Sequence, residues 1–80
     1  MNTTIITATP DQRDRASQIW ADLEDWHFAS PLSDVDYYAV WGLAFAILNT
    51  PNRPNAYAGW LVKLEEIWAD VRARYINAWN

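Results

Sequence analysis

Apolar positions recur along this chain with the three-to-four-residue beat of an α-helix, in three stretches separated by proline-containing breaks. In the first stretch Ala16, Ile19, Trp20, Leu23, Trp26 and His27 fall on one side of a helical wheel. Its start is well marked. Thr9 is a capping residue, Pro10 suits the first helical position, and Gln12 stands where a capping box places Glu or Gln. This helix should end within 28–30, ahead of Pro31.

The second stretch has two possible starts, Ser30 with Pro31 or Ser33 with Asp36. The Ser33 cap, answered by Asp36, fits better. The helix should run to about Leu48 and stop at the Asn49, Thr50, Pro51 sequence. Tyr37, Val40, Trp41, Ala44, Ile47 and Leu48 make a bulky face, and Ala39, Gly42 and Ala46 a smooth one opposite. A helix apolar around most of its circumference is built to be covered all round. In a three-helix bundle it has only two neighbours, so one side is expected to lack cover.

The segment 49–55 carries two prolines and three asparagines and is the clearest break. The third stretch begins near Asn55. Tyr57, Leu61, Leu64, Trp68, Val71, Tyr75 and Ala78 follow a 4-3-4-3-4-3 spacing, a heptad seam about three repeats long. Short connections favour an all-α three-helix bundle running up, down, up, with residues 1–9 as an N-terminal arm and 10–80 as one helical domain. The Thr- and Ile-rich arm could instead form a short strand, but a lone strand has nothing here to pair with. Ile5 and Ile6 are expected to dock it on the bundle.

At 80 residues there is room for one small core. No cysteine is present to staple it, and the candidate ligands are too few for a structural zinc. Six Trp, four Tyr and two Phe compensate, since each can bury roughly 150–250 Å². The longest nearly pure apolar run, 37–48, would span about 18 Å as a helix, against the ~30 Å of a bilayer core. No membrane partner is expected. With no basic segment leading into a long apolar one, a cytoplasmic location is the default.

The net charge is −4, and five acids with no base lie within 20–36. That balance is poor for gripping a phosphate backbone, so nucleic acid is not an expected partner. Asp22, Glu24 and Asp25 belong to this acidic stretch. It reads first as a solvated corner, and otherwise as a surface for a basic partner or a mimic of nucleic-acid phosphate. No EF-hand spacing is present. Glu24 and His27 have the i, i+3 spacing of carboxylate-bridged metal sites in helical bundles. With a single histidine in the chain, only an oligomer could complete such a site. The ordinary reading of His27 is a ring against the core with one nitrogen on a carbonyl. No cysteine, no serine–histidine set and no glycine-rich phosphate loop supports catalysis. Neither a cofactor nor a metal is expected, and a non-enzymatic role follows.

Trp20, Trp41 and Trp68 sit on seam positions and should be core, whereas Trp26 and Trp60 lie at the flanks of their faces. The third helix is longer than the second. Its end should therefore project with Tyr75, Ile76 and Trp79 exposed as interface anchors. A second flank of that helix, with Ala58, Val62, Ala69, Ala73 and Ile76, would let another helix come close. Gly42 and Gly59 fall inside helices, for which close packing is the ordinary reason. The expected function is protein binding, as an adaptor or an inhibitor that occupies a partner's surface. Small acidic chains of this kind are common among phage-encoded inhibitors such as anti-CRISPR proteins, an analogy of size and character alone. Self-assembly into a homodimer or larger structure is the alternative. A nucleic-acid mimic, or a metal enzyme built on Glu24 and His27, stands further back.

Overall fold

The computed structural model describes residues 4–76. Three helices follow one another: α1 (Pro10–Ala29), α2 (Asp34–Asn49) and α3 (Tyr57–Ile76). The described residues contain no strand.

α1 begins as its sequence dictates. Gln12 N–H donates to Thr9 Oγ1 at 3.2 Å and Thr9 N–H to Gln12 Oε1 at 2.9 Å, a complete capping box. α2 begins at the Ser33 cap, where Asp36 N–H donates to the serine Oγ at 3.2 Å. Asp36 does not complete the reciprocal half of this box. The Ser33 N–H instead donates to the phenolic oxygen of Tyr75, 2.9 Å away at the far end of α3.

The helices run up, down, up. At one end Arg13 of α1 donates to the Leu48 carbonyl of α2, and Tyr57 of α3 donates to the Thr50 carbonyl. At the other end Tyr37 of α2 meets His27 of α1, and Asp36 meets Arg74 of α3. The core is the inner stripe of each helix: Ala16, Ile19 and Leu23 from α1; Val40, Ala44 and Ile47 from α2; Tyr57, Leu64, Trp68 and Val71 from α3. The heptad seam is thus real through Val71, with Leu61 and Tyr75 packed against its edge. Ala78 lies outside the described residues.

Three expectations need correction. Trp20 and Trp41 are half-buried against the core rather than inside it, and of the three seam tryptophans only Trp68 is enclosed. The side chains of Ile5 and Ile6 stay exposed. The arm is fastened through its backbone instead: Ile6 N–H donates to Asn52 Oδ1 at 3.0 Å, and Asn52 N–H donates to the Ile6 carbonyl at 2.7 Å. Asn52 does this at φ 61°, a left-handed conformation that asparagine tolerates better than most residues. Among the described residues of the arm only Ala8 is buried. Third, a Cβ added at Gly42 or Gly59 would meet nothing within 4 Å, so close packing inside the chain explains neither glycine.

Candidate interaction surface

The residues singled out in the sequence do not converge on one place. Of the three acids of late α1, Glu24 stands apart from Asp22 and Asp25, which lie one turn from each other on the same side of the helix. Glu24 turns toward α2 and accepts hydrogen bonds from the Tyr37 hydroxyl and from Trp20 Nε1. Asp22 is on the α3 side, where its charge acts weakly on Arg15. That guanidinium is held more basic than usual, first by its bond to Glu65 at 2.6 Å. Asp25 is exposed one turn on from Asp22, so the acidic stretch divides into this pair and a separate Glu24.

Glu24 and His27 are likewise committed separately. His27 Nδ1 accepts the Leu32 amide hydrogen at 3.1 Å, and its ring lies 4.4 Å from that of Tyr37. The imidazole packs on the core as expected, with its nitrogen on an amide N–H rather than a carbonyl. Among the described residues no group of three or more His, Cys, Asp or Glu gathers as metal ligands would. The bond to Glu24, with burial adding to it, pushes the Tyr37 hydroxyl up to about 12. That phenol is a neutral donor near pH 7, not a base.

Trp26 and Trp60 lie at the edges of the core. Trp26 stands edge-on to Trp68 at 5.7 Å, and Trp60 edge-on to Tyr57 at 5.7 Å. Both are half-buried. Tyr75 does not project from α3. Its hydroxyl accepts from Ser33 N–H and donates to Asp36 Oδ2 at 3.0 Å, so it clasps the end of α3 to the start of α2. Arg74 adds a two-armed contact to Asp36, at 2.8 and 3.2 Å. Arg74 first, then Ser33 and Tyr75, hold the Asp36 carboxyl below its usual range against the penalty of burial. The interface role expected of Tyr75 gives way to a structural one. Ile76 is exposed. Trp79 lies outside the described residues. The described part of the arm, residues 4–9, is fastened at the opposite end of the bundle, beside Asn52.

What the structure does assemble is a surface on α2. At about 100° per residue, Tyr38, Gly42, Phe45 and Val35 centre on the side opposite Val40, Ala44 and Ile47. Val35 is 80% exposed, Tyr38 59% and Phe45 42%. The rings form a continuous ridge on the α1 side of this face. Tyr38 stands edge-on to Trp41 at 6.0 Å, and Trp41 stacks on Phe45 at 4.9 Å. Trp20 of α1 closes it from the side, 5.7 Å from Trp41 and 6.2 Å from Phe45. No charged residue occurs in 37–52. The outward face of a small bundle's helix ordinarily carries charge. Here it carries aromatic rings, and the expectation that α2 has one uncovered side is realised. No cavity is found among the described residues.

The small-residue flank of α3, with Ala58, Val62, Ala69, Ala73 and Ile76, is exposed as well. It bears no aromatic ridge, and Glu66 and Asp70 stand beside it on the outer side of the helix. No described helix is long and apolar enough to cross a membrane. Comparison with protein-family models, with curated proteins and with solved structures returns no match.

Proposed function

We propose that this chain is a non-enzymatic protein-binding module. It would work by laying the outer face of α2 against another protein's surface, as an adaptor or as an inhibitor that occupies that surface. One observation carries the reading: a helix face without charge from Tyr37 onward, on which exposed Tyr38 and Phe45 flank half-buried Trp41 in a ring-on-ring ridge. Exposed aromatic clusters on a rigid element are the usual anchors of protein interfaces. Tyr and Trp bring large contact area at little entropic cost. A flat apolar face suits a macromolecule better than a small ligand, which needs a concave site.

A matched pair of baits tests this. The native chain and a Tyr38→Ser/Phe45→Ser variant are immobilised and exposed to the same host extract. The reading expects a protein retained by the native bait at a stoichiometric level and lost from the variant. Equal retention by both, with both baits folded, would move the binding surface elsewhere.

A further inference from the structure

We infer that the outer face of α2 is covered by a second copy of this chain, packed antiparallel across a two-fold axis that passes beside Gly42. The inference rests on the binding role proposed for this face and specifies its occupant.

Two charges on the flank of α1 that faces α2 give the pairing its direction, with Asp11 and Asp14 also exposed in the turn that carries Arg13. Glu24 is tied to Tyr37, five residues before Gly42, and Arg13 is tied to Leu48, six residues after it. Both belong to the α1 side of the ridge, about 8 and 9 Å along the helix from Gly42. Arg13 makes no ion pair among the described residues. A two-fold axis perpendicular to α2 at Gly42 brings the Arg13 end of each copy to the Glu24 end of the other. Asp34, exposed at the start of α2, joins the acidic end. A parallel pairing would instead gather the acidic ends of both copies, an unfavourable arrangement between chains of net charge −4.

The apolar positions obey the same symmetry. Tyr38 precedes Gly42 by four residues and Phe45 follows it by three, so antiparallel copies exchange these rings, with Trp41 opposite Trp41. Gly42 sits where the two backbones come nearest. Glycine inside an exposed helix is unfavourable by roughly 0.5–1 kcal/mol relative to alanine. Nothing in the chain itself approaches this position. Close approach of another backbone supplies the missing reason.

The chain has no cysteine, which makes single-cysteine cross-linking a clean test. In the antiparallel arrangement residue 42 faces its own symmetry mate. The two copies of residue 35 lie about 21 Å apart along the helix, far beyond disulfide reach. Gly42→Cys is therefore expected to form a disulfide-linked dimer under mild oxidation, and Val35→Cys is not. Val35 is exposed and a Cβ at Gly42 meets nothing within 4 Å, so neither change disturbs the fold. A concentration series by analytical ultracentrifugation accompanies the cross-linking. Gly42→Leu should weaken self-association at least tenfold while the helical circular dichroism is kept. Equal cross-linking at 35 and 42 would show a parallel pair and overturn the inference. A native chain that stays monomeric to about 1 mM, or a dimer that cross-links at neither position, overturns it too. A monomer that nevertheless retains a foreign protein through Tyr38 and Phe45 would sink this inference alone and leave the binding role standing.

Discussion

Asp36 is the side chain that fastens the start of α2 to the end of α3. Its carboxylate takes the Ser33 hydroxyl, the Tyr75 hydroxyl and the Arg74 guanidinium, and its side chain is only 14% exposed. Because its folded pKa is lowered, its contribution is complete above the ordinary carboxylate range near 4. That contribution is lost as pH falls through the lowered folded value. Glu65, lowered by Arg15, acts in the same direction. Denaturant melts at pH 7 and pH 3 should show a loss of stability that Asp36→Asn diminishes but does not abolish. An unchanged acid response in that variant would contradict the assignment. Tyr75→Phe should destabilise the fold by about 0.5–1.5 kcal/mol, since it removes the hydroxyl's bonds to the Ser33 amide and to Asp36. Trp68→Ala, emptying the centre of the core, should be destabilising by about 3–5 kcal/mol. Trp41→Ala should be less harmful, about 1–2 kcal/mol, because one side of its ring already faces water.

Helix boundaries and the heptad core were legible in the sequence because they are local. Caps act over three residues and seams over seven. Thr9, Ser33 and the sequence after Leu48 mark their boundaries correctly, and α3 begins two residues later than expected because 54–56 form a turn. What the pattern could not give was azimuth. A wheel places Trp20 and Trp41 toward the inside, but where two helices meet, the neighbour decides which flank is closed. Here both rings end at the α1–α2 rim, turned toward Phe45. Tyr75 was misjudged for a related reason. Helix lengths set the expectation of an overhang, whereas a hydrogen bond spanning 42 residues pulls α3 level with the start of α2. The signal was present in its seam register. For α2 two stability results should follow. Tyr38→Ser/Phe45→Ser should leave the melt of dilute protein nearly unchanged, within about 0.5 kcal/mol per site. Gly42→Ala should raise stability by up to about 1 kcal/mol. A helix tuned only for its own fold would not have left that gain unused.

Taken whole, the molecule separates its fold from its surface. The buried stripes of the three helices, the capping contacts and the Asp36 clasp hold most of the bundle, and the ridge on α2 adds only Trp41 and its contact with Trp20. Of the late acids of α1, which the sequence grouped, the helical turn sets Glu24 apart from Asp22 and Asp25. Of the aromatics of α2, the sequence pattern placed Tyr37 and Trp41 on the bulky face, and in the fold Tyr38 and Phe45 join Trp41 at one rim. Hydroxyl-radical footprinting reads that division directly, because aromatic rings report their own exposure. Comparing dilute protein with the assembled or partner-bound state should show Tyr38, Trp41 and Phe45 losing reactivity. Val62 and Ile76 of α3, both exposed in the chain alone, should keep theirs. Protection falling on Val62 and Ile76 instead, or on no residue of α2, would contradict the assignment of this face as the one the protein uses.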